Sequence, residues 1–167
     1  MPFNSCVMIK TMKRGISFAV FALACALCFI SYGCVQQSGS SNESDGSVIA
    51  AKQTIKTAVE AENQMCPIDF HNGVVYTSVS YDDENNVVTY KYSTNSFESF
   101  DNGENYLKES MLGMLVVGSD DEASRTFLEA VVKSQTKLVY SYKKDGDTRE
   151  VVILPSDLTS HIPQLQK

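Results

Sequence analysis

An uncharged run from Ile16 to Tyr32, "ISFAVFALACALCFISY", divides this chain before any fold can be considered. Lys10, Lys13 and Arg14 precede it, giving the charged and then apolar regions of a secretory signal. At 17 residues the run is shorter than the length of about 20 that spans hydrocarbon, and no basic stop-transfer cluster follows it. A permanent membrane helix is the lesser alternative. Met12 also opens a compact signal, and this leaves the mature chain unchanged.

Two cleavage chemistries meet at "SYGC". Small residues before a cysteine suit a lipoprotein signal, in which the thiol is acylated and cleavage leaves that cysteine as the new N-terminus. The stretch resembles such a lipobox at Gly33 and Cys34, and departs from it at Ser31, where Leu is usual. Ser31 and Gly33 also satisfy the small-x-small rule of ordinary signal peptidase, so a soluble secreted form is the rival outcome. The polar segment "VQQSGSSNESDGS" that follows has the composition of a flexible tether, which an anchored domain needs. The expected organisation is a lipoprotein signal peptide at 1–33, a tether at 34–47 and one domain at 48–167, with acylation at Cys34. That anchor implies a cell-envelope address, with the domain in the periplasm or on the cell surface.

Cleavage changes the cysteine count. Of five cysteines, Cys6, Cys25 and Cys28 leave with the signal, so an acylated Cys34 gives Cys66 no partner within the chain. A Cys34–Cys66 disulfide and a lipid on Cys34 exclude each other. Without a partner, Cys66 reads as a buried, inert thiol. The charge sharpens too: losing three basic residues leaves 11 Lys+Arg against 20 Asp+Glu, a net of minus nine. Nucleic acid is a poor partner for such a surface.

In the exported part, "SVIAAKQTIKTAVEAENQM" places Val48, Ala51, Ile55, Ala58, Val59 and Glu62 along one side of a helix, with Ser47 as the expected N-cap. "CPIDFHNG" breaks it. "VVYTSVSY" and "NVVTYKY" alternate around a polar loop and predict a hairpin. Helical spacing returns in "ENYLKESMLGMLVV", then in "EASRTFLEAVVKS" after a capping box at Ser119 and Glu122. "KLVYSYKKDGDTREVVIL" predicts a second hairpin around Asp145-Gly146, and "PSDLTSHIPQLQK" a short helical turn. The fold class is α+β: an antiparallel sheet from two β-hairpins with helices packed on one face, in an order that reads as an internal duplication. The apolar strand face comprises Val75, Val79, Tyr81, Val88, Tyr90, Tyr92, Leu138, Tyr140 and Tyr142. Tyr76 falls on the polar side.

"NQMCPIDF", the Tyr/Val-rich hairpin and "KLVYSYKKDGDTREVVILPSDL" together resemble the small exported lipoproteins common in gut Bacteroidota. The resemblance covers most of the mature chain. It implies an envelope lipoprotein with two helix-hairpin units, and it carries over no functional residue.

Candidate chemistry is sparse. Cys66, Asp69 and His71 lie together in "CPIDFH", where a thiol, a carboxylate and an imidazole could form a nucleophile. A structural Cys beside a loop His is the simpler reading. The two histidines, His71 and His161, are 90 positions apart and have no metal-ligand spacing. "DDEN" and "DNGEN" suit solvated turns and do not match a calcium loop. The strand tyrosines read as core packing with hydroxyls toward the rim. The function expected is a non-enzymatic binding or interaction module without catalytic, metal or cofactor residues. Its partners would be the membrane, through the lipid on Cys34, and an envelope protein or glycan. A small cysteine-dependent enzyme using Cys66 and His71 is the first alternative; a secreted inhibitor or structural subunit is the second.

Overall fold

The structure, a computed structural model, describes residues 43–101 and 103–166. The signal peptide, Cys34 and the tether as far as residue 42 lie outside the described residues. Helix α1 (Glu43–Asn63) is followed by strands β1 (Ile68–Asp69), β2 (Val74–Asp82) and β3 (Val87–Thr94). Helices α2 (Glu98–Asp101), α3 (Glu104–Gly118) and α4 (Glu122–Lys133) come next. Strands β4 (Lys137–Lys144) and β5 (Asp147–Ile153), helix α5 (Pro155–His161) and a 3-10 turn (Pro163–Gln166) complete the chain.

The α+β architecture is as the sequence implies. Five strands form one sheet in the order β1-β2-β3-β4-β5, and each hairpin is preceded by a helix, α1 or α4. These two helices pack on each other and cover one face. The sheet is mostly antiparallel, but its centre is not: β3 and β4 run parallel, with Tyr90 opposite Tyr140 and Tyr92 opposite Tyr142. Parallel neighbours require a crossover, and residues 95–136, carrying α2, α3 and α4, supply it.

Sequence periodicity explains the covering layer. In α4, Phe127, Leu128 and Val131 form the buried stripe, and each such side chain contributes about 1.5–3 kcal/mol by leaving water. Asp121 caps this helix, accepting from the Ser124 amide at 2.9 Å, so the cap lies one residue before Glu122 rather than at Ser119. Helix α1 buries Ala51, Ile55, Ala58, Val59 and Glu62. It begins at Glu43, so Ser47 lies inside it instead of capping it; Glu43 to Gly46 contain no apolar residue by which a stripe could be detected. "FESFDNG", read as irregular, contains the single turn of α2. The Asp145-Gly146 turn is formed as expected, with φ of 50° and 95°.

One strand face needs correction. Between Tyr76 and Ser78 the β2–β3 register shifts by a bulge at Thr77, whose hydroxyl donates to the Lys91 carbonyl at 2.9 Å. The extra residue reverses the alternation upstream. Tyr76, assigned to the polar side, is therefore buried with Val79 and Tyr90, and Val75 moves to the opposite face.

Candidate functional site

The bulge brings Tyr76 into a tyrosine array that spans the central strands. Tyr76 stacks on Tyr92 with centroids 5.0 Å apart, Tyr92 on Tyr142 at 4.8 Å, and Tyr90 on Tyr140 at 4.9 Å. The parallel register of β3 and β4 sets the last two pairs directly opposite each other. Phe100 closes the array edge-on to Tyr142 at 5.5 Å, and the Arg149 guanidinium lies over the Phe97 ring at 4.9 Å. Tyr76 and Tyr90 are buried, whereas Tyr92, Tyr140 and Tyr142 are half-buried.

Glu62, in the last turn of α1, lies on this array and is only 6% exposed. Its carboxyl acts electrostatically on Tyr76, Tyr90, Tyr92 and Tyr140, and on the Cys66 thiol. Burial disfavours the charged form and pushes the Glu62 carboxyl up to about 7, against a smaller opposing pull from the Tyr76 hydroxyl. That hydroxyl stands beside the carboxyl without completing a hydrogen bond, and it is a buried oxygen with no partner among the described residues. Burial raises the proton affinity of the tyrosines: Tyr142 is pushed up to about 12, and Tyr76, Tyr90, Tyr92 and Tyr140 are raised as well, with the Glu62 charge adding to burial. All are neutral phenols at physiological pH.

Other buried polar groups are better served. Ser134 Oγ donates to the Ala130 carbonyl at 2.7 Å and meets Thr136 Oγ1 at 2.7 Å, while Asn86 Nδ2 donates to the Ser134 carbonyl at 3.2 Å. Buried polar groups are paired as a rule, so Glu62 and Tyr76 stand out in this core. Sequence reading placed Glu62 on the buried stripe of α1 without assigning it a role. An acid at that helical spacing was the available signal.

The residues singled out in "CPIDFH" do not assemble into a nucleophile. Cys66 Sγ donates to the Glu62 carbonyl at 3.8 Å and is half-buried rather than fully buried, since it follows the helix at the margin of the sheet. Burial and the Glu62 charge push its thiol up, away from the thiolate. His71 projects from a turn with its side chain 87% exposed, and its Nδ1 lies 3.5 Å from Asp69 Oδ2. Among the described residues no hydrogen bond joins His71 to Cys66. His161 is elsewhere, with Nε2 3.1 Å from Glu109 Oε2, where it helps tie α5 to α3 alongside the 2.6 Å Lys108–Asp157 ion pair. In the β2–β3 turn, Asp82 carboxylate oxygens accept from the amides of Glu84 and Asn85 and from the Asn85 side chain. The cysteine Cys34 lies outside the described residues.

A separate open depression of about 480 Å³ lies where α1, α4 and the 3-10 turn meet. Ala50, Thr54, Thr126, Glu129, Lys133 and Gln164 are among its lining residues. Hydroxyls, an amide and one charge of each sign above small side chains can hydrogen-bond an uncharged or zwitterionic chain.

No protein-family model matches this chain, and no curated protein matches it closely enough to count as a relative. Its fold is similar to the crystal structure of a "putative secreted protein" from Pseudomonas aeruginosa, with a TM-score of 0.52 at 9% identity. The likeness covers 71% of this chain and 99% of that one. At such identity it establishes shared architecture alone. Among the described residues no helix is long and apolar enough to cross a membrane.

Proposed function

We propose that this chain is a cell-envelope lipoprotein, held by a lipid on Cys34, whose domain is a non-enzymatic binding or interaction module. The address rests on the secretory run and the Cys34 boundary in the sequence. The fold shared with the "putative secreted protein" of Pseudomonas aeruginosa is compatible with that address. The resemblance to exported Bacteroidota lipoproteins supports the same reading. The observation that favours binding over catalysis is the separation of Cys66 from His71, with the thiol turned to a backbone carbonyl and the imidazole exposed beside Asp69. A thiol nucleophile needs a base within hydrogen-bond reach and a lowered proton affinity. Cys66 has neither.

In the lipidated form Cys34 has no free thiol, so alkylation reads Cys66 directly. Its reaction with iodoacetamide at pH 7.5 is expected to be at least severalfold slower than that of glutathione, because the thiol is shielded and protonated. A rate above that of glutathione that collapses in a His71→Ala variant would establish the small-enzyme alternative instead. The depression between α1 and α4 is the proposed contact surface for a glycan or envelope-protein segment. A secreted inhibitor or structural subunit, the second alternative, predicts a stable stoichiometric complex without a lipid on Cys34.

A further inference from the structure

The corner where α1 ends on the tyrosine array combines a nearly inaccessible carboxyl with an unpartnered hydroxyl, at a helix terminus rather than in the middle of the core. We infer that Glu62 is a proton-operated latch: protonated, it lets the last turn of α1 rest on the sheet, and ionised, it draws water in and lifts that turn from Tyr76, Tyr90 and Tyr92.

The groups facing Glu62 are the phenols of Tyr76 on β2, Tyr90 and Tyr92 on β3 and Tyr140 on β4, with the Cys66 thiol following the helix. All five are neutral near pH 7, so none offers a countercharge. Among the described residues no lysine, arginine or histidine acts on Glu62. Lys56 and Glu60 of α1 border a depression shared with Asn63, Val79, Tyr81 and Asp83 without acting on Glu62, and Glu129 and Lys133 of α4 meet the opposite half of α1. An uncompensated buried carboxylate must protonate, find a cation or reach water. With no cation at hand, water is the outcome above neutrality.

The connections allow movement at this corner. Beyond Asn63 the helix gives way to turn bonds, Gln64 N to the Glu60 carbonyl at 3.3 Å, Met65 N to the Glu62 carbonyl at 3.0 Å and Cys66 N to the Asn63 carbonyl at 3.3 Å. Among the described residues one side-chain hydrogen bond ties the last turn to the sheet, from the Val79 amide to Asn63 Oδ1 at 3.1 Å. The rest of α1 is held by Ile55, Ala58 and Val59 in the core. Local opening is therefore the cheaper route to solvating Glu62.

Native-state hydrogen exchange of the full mature chain tests the latch. After division by the intrinsic exchange rate, protection at the Met65, Cys66 and Val79 amides is expected to fall about thirtyfold between pH 5.5 and 8.5, as a proton is lost on opening. At every pH the corner amides should exchange faster than Leu128 and Val131 of α4, which report unfolding of the whole domain. Glu62→Gln, which mimics the protonated carboxyl, should abolish the fall at the corner. A flat profile in the wild type, corner amides as strongly protected as those of α4, or a fall that persists in Glu62→Gln would each overturn the latch; the first two need no variant to fold.

Discussion

Truncating Tyr90 to alanine is expected to lower the unfolding free energy by about 3–5 kcal/mol, the range for removing a buried aromatic side chain. Tyr90 is 2% exposed, stacks on Tyr140 at 4.9 Å and lies 6.2 Å from Tyr76, so its loss opens a cavity and removes two ring contacts. Those contacts add about 0.5–1.5 kcal/mol per pair beyond the area buried. Because small domains have only about 5–15 kcal/mol in total, the variant should be near its folding threshold in urea titrations. Tyr76→Phe gives the informative contrast. It retains the ring stacked on Tyr92 and removes a hydroxyl that has no partner, so stability should hold or rise by up to about 1–2 kcal/mol. A loss comparable to that of Tyr90→Ala would show that the Tyr76 hydroxyl is paired and that the corner is built differently.

The second large effect depends on pH. Ionising buried Glu62 destabilises the fold, because the folded state holds its proton up to about 7 against an ordinary value of 4.5. Below the ordinary value both states are protonated and the cost is absent. It grows as pH rises through the interval and is complete above about 7, where it amounts to at most about 3 kcal/mol. Glu62→Gln is thus expected to unfold at higher denaturant concentration than the wild type at pH 8, and at nearly the same concentration at pH 4. If the corner opens as the latch requires, the gain at pH 8 is capped by the free energy of that opening. Equal midpoints at pH 8 would mean that a partner or water already compensates the carboxylate.

Local rules made most elements legible. Asp145-Gly146 announced its turn because positive φ at both positions favours those residue types, and the α4 stripe of Phe127, Leu128 and Val131 followed from helical spacing alone. Two features depended on distant pairing and left little local trace. The Thr77 bulge is defined against Lys91 on β3, so strict alternation along β2 misassigned Tyr76 and Val75. The parallel junction of β3 and β4 depends on where the crossover helices deliver the chain, which hairpin signals cannot register. The corner combines both difficulties. Glu62 was visible on its apolar stripe, but the tyrosines around it come from three strands, and one of them reaches the site through the bulge. "CPIDFH" shows the reverse case: neighbours in sequence that the fold sets apart, with His71 carried to an exposed turn at φ 58°.

The proposed address and the proposed role meet at Cys34, and the mature N-terminus decides between them and their rivals. Mass spectrometry of the protein extracted from membranes should find a chain that begins at Cys34 with the cysteine diacylglyceryl-modified and Cys66 carrying a free thiol. An N-terminus at unmodified Cys34, or a Cys34 disulfide-bonded to Cys66, would contradict the lipid anchor and return the chain to the soluble secreted class.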